Sequence, residues 1–152
     1  MYTKNEQFML KALAQAKHAY NKGEAAVGAI IVKDGKILAR GHNLKEAKND
    51  VTSHAEIEAI RKAARKLGTW RLDGCDMYVT LEPCPMCAGA IIQSRIRTLY
   101  IGAMDKRAGA AGSVVDLFRV QQFNHRVDVV EGVSYEQCAE ILKRFFEGLR
   151  QK

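Results

Sequence analysis

The sequence predicts an α/β domain of three layers, in which helices pack on both faces of a central mixed sheet of five strands. Segments with apolar residues at helical spacing alternate with short apolar segments rich in valine and isoleucine, a pattern typical of such layered domains. No repeat, linker or low-complexity tract interrupts the 152 residues. Because a chain of this length usually forms one domain, residues 1–152 are expected to be a single domain.

The first half of the chain predicts a helix, a pair of strands and a second helix. Apolar residues between about Glu6 and Tyr20 recur at helical spacing. The segment AVGAIIVKDGKILARGHN then predicts two strands joined by a tight turn at Asp34-Gly35. The helix predicted by TSHAEIEAIRKAARKLG should end at Gly68, because glycine readily adopts the left-handed conformation that closes a helix.

The second half predicts strands and helices that alternate around one glycine-rich loop. A strand (DMYVTL), a helix (PMCAGAIIQSRI) and another strand (RTLYIGA) precede the loop MDKRAGAAGS. A short strand (HRVDVVEGV) and a closing helix (SYEQCAEILKRFFEGLRQK) follow the loop. The predicted order is therefore α-β-β-α-β-α-β-loop-β-α, which favours the layered domain.

Composition argues against a membrane-spanning protein and against a disulfide-stapled secreted domain. The sequence contains no run of about 18 apolar residues, and its N-terminal segment lacks the pattern of a secretory signal. A cytoplasmic location is therefore expected, where the four cysteines serve in metal binding or catalysis more often than in disulfides.

The net charge of +7 favours a polyanionic partner such as nucleic acid. A lysine-rich solvated surface accounts for the same charge equally well, so charge alone does not decide between them.

Both prolines of the chain flank one cysteine in residues 81–87, LEPCPMC. Pro83 disfavours helical geometry at the residue before it, and Pro85 suits the first position of a helix. Together they predict a stiff strand-to-helix elbow with Cys84 at its tip and Cys87 one turn along the same helical face. Since a helix N-terminus favours thiolates, the two sulfurs are suited to share a metal ion.

The C-x-x-C spacing by itself leaves three interpretations open: a metal site, a redox pair, or two buried cysteines on a helix. A metal site would in turn be either catalytic or half of a structural zinc site. Cys75 and Cys138 have no partner at ligand spacing, so we expect them to be small buried hydrophobic residues.

A second candidate group, His54-Ala55-Glu56, opens the preceding helix. Ser53 and Glu56 also match a capping box, which would make Glu56 a helix cap and His54 incidental. Both motifs, however, stand at helix N-termini that we expect at the same edge of the sheet. His54, Cys84 and Cys87 would supply three zinc ligands, and three ligands with an open fourth position are typical of catalytic zinc. No spacing supports a fourth ligand among the remaining histidines, His18, His42 and His125.

The two motifs combine into H-x-E…P-C-x-x-C, the established signature of zinc nucleobase deaminases, TadA-type enzymes among them. In such a site zinc lowers the pKa of bound water. Glu56 would take that proton, deliver it to a ring nitrogen and then protonate the leaving ammonia. Because a carboxylate on the metal could not move protons in this way, Glu56 is expected near the zinc but not bound to it.

Over nearly its whole length, roughly Glu6 to Phe146, the chain resembles the bacterial tRNA-specific adenosine deaminase family. The similar segments are GEAAVGAIIVKDGKILARGHN, YVTLEPCPMCAGAIIQSRI, GAMDKRAGAAGSVVDL and NHRVDVVEGVSYEQCAEILKRFF. The glycine-rich loop and the tail distinguish this family from guanine deaminases of similar length.

The resemblance implies a three-layer α-β-α cytidine-deaminase-like fold. It also implies hydrolytic deamination of adenosine to inosine at the wobble position of a tRNA anticodon, by a homodimer with one zinc ion per chain. Matched residue by residue, it implies that His54, Cys84 and Cys87 bind zinc and that Glu56 is the proton shuttle.

Three further residues are assigned to the substrate by the same resemblance. Asn43 would contact the flipped base, Val27 would help to wall its pocket, and Asp105 would contact the sugar region. Each has an ordinary structural alternative: Asn43 as a strand end or cap, Val27 as a core residue, and Asp105 as a loop residue.

The chain departs from the usual family pattern at three positions. Ala26 and Val51 stand where proline is usual, which should loosen loops near the expected pocket. Arg107 stands where lysine is usual, which keeps the charge but changes how a phosphate is held. None of these positions is a zinc ligand or the proton shuttle.

Basic residues indicate a path for the tRNA backbone. Lys106 and Arg107 lie in the glycine-rich loop, while the run RKAARK on the middle helix has the pattern of a solvated face. Unstacked RNA bases commonly rest on aromatic or arginine planes, although one of the two phenylalanines on the last helix should belong to the core. The path would continue on that helix through Lys143, Arg144, Phe145, Phe146 and Arg150.

Two other functions stay open. A deaminase of a free base or nucleotide, of the guanine or cytosine type, would share the zinc site but would have no need of a basic exterior. A non-catalytic zinc module that binds RNA would have no need of Glu56.

Overall fold

The computed structural model describes residues 1–150 and contains the predicted order of helices and strands. These elements are α1 (Lys4–Asn21), β1 (Gly28–Lys33), β2 (Lys36–His42), α2 (Lys45–Lys48), α3 (Ala55–Leu67), β3 (Cys75–Leu81), α4 (Pro85–Gln93), β4 (Thr98–Ala103), a 3-10 turn (Leu117–Arg119), β5 (Asp128–Val130) and α5 (Tyr135–Arg150). The last two residues of the predicted closing helix, 151 and 152, lie outside the described residues. Within residues 1–150, no helix combines the length and apolar character needed to cross a membrane.

The five strands form one mixed sheet in the order β2-β1-β3-β4-β5. β1 pairs antiparallel with both β2 and β3, whereas β3 with β4 and β4 with β5 pair in parallel. The start of β1, the end of β2 and the carboxyl ends of β3 and β4 therefore meet at one edge of the sheet. This edge, called the site edge below, is where α/β sheets usually place their ligands.

Helices cover both faces of the sheet, which confirms the predicted three layers. Side chains of a strand point alternately to its two faces. On β1, Ala29 and Ile31 belong to one apolar core, which α3 and α4 complete. Ile30 and Val32 belong to a second core, which α1 and α5 complete.

The local turn predictions are also confirmed. Asp34 and Gly35 both have positive φ, 51° and 76°, as the tight hairpin turn between β1 and β2 requires. Gly68 ends α3 in the left-handed conformation with φ 70°. The basic run of α3 is exposed except for its alanines, as expected for a solvated face.

The helix α1 is longer than predicted, and the short helix α2 is an element that the sequence did not predict. α1 begins at Lys4, because a capping box joins Thr3 and Glu6: the Thr3 hydroxyl accepts from the Glu6 N–H at 3.1 Å, and the Glu6 carboxylate accepts from the Thr3 N–H at 2.8 Å. The short helix α2 was not predicted, since four residues carry too little periodicity. It is stabilised from outside its own sequence by the buried carboxylate of Glu24, which accepts from the N–H groups of Glu46 and Ala47 at 3.0 and 2.7 Å.

Helix α3 approaches β2 closely at Gly41. A Cβ at this position would lie 2.7 Å from the Ala59 nitrogen and would also collide with the Ala55 carbonyl oxygen. The absence of a side chain at Gly41 therefore sets how near the first turn of α3 comes to the sheet.

Replacing Gly41 by alanine should lower the free energy of unfolding by about 1–3 kcal/mol, because the added methyl group forces α3 away from β2. Urea denaturation measures this change. The matched control is Gly89→Ala in α4, where an added Cβ meets nothing within 4 Å. The control should be neutral or slightly stabilising, since alanine favours a helix more than glycine does. Equal stability of the two variants would contradict the close-packing argument.

Candidate active site

The elbow between β3 and α4 has the predicted geometry. Cys84 is the N-cap of α4 with φ −72° and ψ 171°, and Pro85 occupies the first helical turn. The Cys84 carbonyl oxygen accepts the hydrogen bond of the Ala88 N–H at 2.8 Å, which starts the helix. Cys87 follows one turn later and is fully buried.

His54 occupies the corresponding position at the start of α3. It is the N-cap of that helix, in extended conformation, and its side chain makes no capping hydrogen bond. The alternative capping box is wrong, because the helix begins one residue later than that motif requires. The buried Ser53 hydroxyl has no hydrogen-bond partner among the described residues. His54 is thus free to point its ring toward the elbow.

The His54 ring and the two cysteine sulfurs form one cluster. His54 Nδ1 lies 3.6 Å from Cys84 Sγ and 3.5 Å from Cys87 Sγ. All three donor atoms lie within 4.8 Å of one another, and no further His, Cys, Asp or Glu in the described chain joins this cluster.

This donor set fits zinc. Zinc–nitrogen and zinc–sulfur bonds of about 2.0 and about 2.3 Å at a tetrahedral angle separate nitrogen from sulfur by about 3.5 Å. The two observed separations agree with that value, so the cluster could hold the ion with little rearrangement. His18, His42 and His125 lie outside the cluster, which leaves a fourth position open.

The cluster already stabilises negative charge on one sulfur. The Cys87 thiol hydrogen-bonds to Cys84, and His54 adds a second hydrogen bond, so the pKa of Cys84 falls to about 4. The same hydrogen bond with Cys84 raises the pKa of Cys87, with burial as the next cause. The hydrogen bond to Cys84 also raises the pKa of His54. The thiolate is the form of cysteine that binds a metal ion.

Glu56 lies beside the cluster in the first turn of α3. Its side chain is buried, with 4% of the residue exposed. Burial raises the pKa of Glu56 to about 7, and the negative charge on Cys84 acts in the same direction. A carboxyl group that titrates near neutral pH can both accept and release a proton under working conditions.

A cavity of about 260 Å³ opens onto these groups at the site edge. Glu56, His54 and Cys84 are among the residues that line it. The other lining residues come from the segments just before β1 and just after β2, from α2, α3 and the end of β3, and from the glycine-rich loop and α5. They are Ala25, Val27, Asn43, Lys45, Ala55, Leu81, Glu82, Asp105, Ala108 and Phe146. The structure therefore brings Val27, Asn43 and Asp105, which lie far apart in the sequence, into one wall.

Local hydrogen bonds hold two of these wall residues. Asn43 is 8% exposed, and its side-chain oxygen accepts from the Lys45 N–H at 3.3 Å. Asp105 Oδ1 accepts from the N–H groups of Arg107 and Ala108 at 3.0 and 3.3 Å, which closes a turn at the start of the glycine-rich loop. The structure thus gives each a local structural role as well as a place in the cavity wall; contact with a substrate stays a prediction.

Lys106 and Arg107 lie outside the cavity wall. Both are exposed on the glycine-rich loop, next to Asp105. The Arg107 guanidinium lies 5.8 Å from the ring centroid of Phe146, close enough for a cation–π interaction. Phe146 is 43% exposed and lines the cavity, whereas Phe145 packs against the second core.

Of the basic residues predicted on the last helix, Lys143 and Arg150 are exposed. Arg144 is exposed too, and it forms an ion pair with Glu140 one turn earlier at 3.1 Å. The predicted basic path is therefore accessible along this helix.

Ala26 and Val51 stand at the two positions where the family usually has proline. Ala26 is fully buried and packs in the second core. Val51 is 68% exposed, but the turn that contains it is closed by Asp50, whose side chain accepts from the Thr52 N–H at 2.9 Å. The looser loops expected at these two positions stay a prediction.

Sequence reasoning missed Glu82, which stands between β3 and the elbow. It is 2% exposed, lines the cavity and accepts hydrogen bonds from the glycine-rich loop. Burial acts to raise its pKa, but bonds from Ser113 and from backbone N–H groups outweigh burial and lower the pKa of Glu82. No local pattern marks this residue, because its partners lie 23 to 31 residues further along the chain.

Comparison with known proteins assigns the chain to a family. The profile of the MafB19-like deaminase family matches residues 3–150. A tRNA-specific adenosine deaminase from Bacillus subtilis (strain 168) is 46% identical over 150 residues, covering 99% of this chain and 93% of the relative. A solved structure from a study of A-to-I editing by tRNA:A34 deaminases at the wobble position of transfer RNA superimposes with a TM-score of 0.87. It is 48% identical, and the match covers 90% of this chain and 99% of that chain.

A guanine deaminase structure from Bacillus subtilis is similar over a smaller part of the fold. It has a TM-score of 0.63 and 45% identity, with 65% of this chain and 64% of that chain covered. The similarity to the tRNA deaminases extends over nearly the whole chain and includes both the elbow and the glycine-rich loop. The chain belongs to the bacterial tRNA-specific adenosine deaminase family.

Proposed function

We propose that this protein converts adenosine to inosine by hydrolytic deamination at the wobble position of a tRNA anticodon. One observation carries the proposal: the His54, Cys84 and Cys87 donor cluster and the buried Glu56 open into a single cavity in a chain of this family. The proposed cofactor is one zinc ion per chain, held by those three donors.

Glu56 moves the protons in the proposed reaction. Zinc, when bound, supplies the Lewis acidity that allows water to act as a nucleophile near neutral pH. Glu56 accepts the proton of the water whose oxygen adds to C6 of adenine, and donates it to ring nitrogen N1. Glu56 then takes the proton of the new C6 hydroxyl and passes it to the amino group, which leaves as ammonia when the C6–N bond breaks and the C6 carbonyl forms. Its pKa of about 7 suits both directions of transfer.

The cavity walls are suited to hold one flipped base. Val27 offers an apolar surface, Asn43 a side-chain amide that can donate and accept, and Asp105 a carboxylate at the rim. We infer that these residues contact the base and its sugar, in the roles that the family resemblance implies for them.

The exterior of the cavity favours RNA over a free base. Lys106 and Arg107 are exposed beside the cavity mouth, where they can reach phosphates that flank a flipped nucleotide. The similarity to guanine deaminase keeps a free-base substrate as the second candidate. A non-catalytic zinc module is disfavoured, because such a module has no use for a carboxylate buried beside the metal donors.

A homodimer in the cytoplasm is the proposed working form. Exposed apolar side chains follow the glycine-rich loop, with Val114 at 55% and Val115 at 44% exposed. A second copy of the chain would remove this surface from water. The cytoplasmic location follows from the proposed tRNA substrate.

Metal analysis should find about one zinc per chain in the purified protein. Cys84→Ala and Cys87→Ala should each lose the metal and melt at a lower temperature, because zinc binding stabilises the folded state. Cys75→Ala is the matched control, since Cys75 is buried away from the cluster and should keep its zinc. Full zinc content in both cluster variants would refute the assignment of the site.

Glu56→Gln should keep the fold and the zinc but lose deamination activity by roughly 10²-fold or more, the usual scale for an acid–base group. Single-turnover deamination at saturating substrate measures the loss. Ser53→Ala is the control: its hydroxyl has no partner, so activity should be retained and stability nearly unchanged. Full activity in Glu56→Gln would remove this residue from the mechanism.

An anticodon stem-loop with adenosine at the wobble position should bind in a salt-sensitive way and yield inosine. Replacing both Lys106 and Arg107 by glutamine should weaken binding and reduce the slope of log K against log salt by up to about 2. The control replaces Arg65 and Lys66, two exposed cations in the last turn of α3, and should leave the slope unchanged. Rapid turnover of guanine or cytidine with no inosine in the stem-loop would favour the free-base alternative.

A further inference from the structure

The carboxylate of Glu82 is surrounded by donors from one segment, the glycine-rich loop of residues 104–113. Its Oε1 accepts from the Asp105 N–H at 2.9 Å and from the Ser113 hydroxyl. Its Oε2 accepts from the N–H groups of Ala111 and Ser113 at 2.8 and 3.1 Å. Each oxygen therefore takes two hydrogen bonds, and all four come from this loop.

The loop lies so close to this carboxylate that no side chain fits between them. A Cβ at Gly109 would collide with the Glu82 carboxylate and would lie 2.5 Å from the Asp105 carbonyl oxygen. A further hydrogen bond joins the loop to the elbow, from the Ala110 N–H to the Pro83 carbonyl oxygen at 2.8 Å. The contact is thus specific in shape as well as in hydrogen bonding.

Glu82 connects two parts of the site that have different tasks. In the chain, it stands two residues before Cys84, directly before the elbow that carries two of the metal donors. Through its hydrogen bonds it holds the loop that carries Asp105 in the cavity wall and Lys106 and Arg107 outside it. The distance between the metal donors and the exposed cations Lys106 and Arg107 therefore depends on the Glu82 carboxylate.

We propose that Glu82 is a positioning residue that places the glycine-rich loop against the metal-ligand elbow and so sets the affinity for the RNA around the flipped base. It does not touch the reacting atoms. The RNA part of this inference rests on the proposed function, whereas the placement of the loop does not. A residue with a merely structural role would change stability and leave substrate affinity as it is.

A carboxylate is required here, and an amide of the same shape cannot replace it. Oε2 of Glu82 faces two backbone N–H groups, and Oε1 faces the Asp105 N–H and the Ser113 hydroxyl, which can also accept. The NH₂ group of a glutamine would therefore oppose at least one backbone N–H whichever way it is turned. Glu82→Gln therefore releases one side of the loop while preserving the volume of the side chain. The variant separates hydrogen bonding from packing.

In Glu82→Gln we expect the zinc content to stay at the level of the unsubstituted protein and KM for the anticodon stem-loop to rise by about tenfold or more. The rate at saturating substrate should change by less than about threefold, because the lost contact contributes to binding and not to the chemical step. Hydrogen exchange should become faster at the amides of Asp105, Ala111 and Ser113 and stay unchanged in α3 and α4.

Glu58→Gln is the matched control. Glu58 is also buried, but it pairs with Lys48 and Arg61 and takes no part in the cavity wall. Loss of the Glu58 charge should lower the free energy of unfolding without raising KM for the anticodon stem-loop. A rise of KM in this control equal to that in Glu82→Gln would overturn the proposal, since any buried carboxylate would then give the same result.

Gly109→Ala alters the same contact between the loop and Glu82 by a change in the loop. This variant tests the proposal if Glu82→Gln fails to fold. The added Cβ displaces the loop from the carboxylate, so KM should again rise with zinc retained. Unchanged KM and unchanged loop exchange in either folded variant would overturn the proposal. If the unsubstituted protein forms no inosine in the stem-loop, the proposed function fails, and amide exchange of the loop still tests the placement by Glu82.

Discussion

The approach of one imidazole to two sulfurs is the contact on which the rest of the site depends. His54 begins α3, and Cys84 and Cys87 begin α4, yet the nitrogen lies 3.5–3.6 Å from both sulfurs. Two helix starts can meet in this way because both helices cover the same face of the sheet and begin at the same edge. The close packing at Gly41 brings α3 to that edge, and the two prolines hold the start of α4. Glu56 is then buried beside the cluster as a consequence of its place in the first turn of α3.

Three buried glutamates show how surroundings decide what a carboxylate does. Glu82 receives four hydrogen bonds from a single loop, which outweigh burial and lower its pKa. Glu24 receives two backbone hydrogen bonds and caps a helix too short to cap itself. Glu56 has no comparable set of donors, so burial dominates and its pKa rises to about 7. Glu82 therefore holds a loop of the cavity wall, and Glu24 holds the helix that carries the lining residue Lys45. Glu56 is suited to move protons inside the cavity.

Positive charge is spread over the surface, and its location matters more than its total. The cations in the last turn of α3 lie at the opposite end of that helix from His54 and Glu56. Lys106 and Arg107 stand beside the cavity mouth, and Arg107 lies over Phe146, which lines the cavity. Aromatic and guanidinium planes next to the cavity are a surface suited to unstacked RNA bases. The net charge of +7 alone would not distinguish these two groups of residues.

The sequence by itself determined the features that depend on neighbouring residues. The hairpin turn at Asp34-Gly35, the end of α3 at Gly68 and the elbow around Cys84 were all predicted, because glycine and proline restrict the backbone where they stand. The order of helices and strands predicted three layers, and the deaminase signature identified the candidate ligands and Glu56. These inferences needed no knowledge of long-range contacts.

Only the tertiary structure decided the features that depend on distant residues. Ser53 and Glu56 match a capping box in sequence, but α3 begins at Ala55 and Glu56 faces the cavity. Phe145 and Phe146 are indistinguishable in the sequence pattern, yet one packs in the core and the other lines the cavity. Glu82 acquires its partners from a loop 23 to 31 residues away. Local sequence patterns reflect backbone preference and amphipathic spacing. The start of α3, the positions of the two phenylalanines and the partners of Glu82 depend instead on which distant segments the sheet brings to one edge.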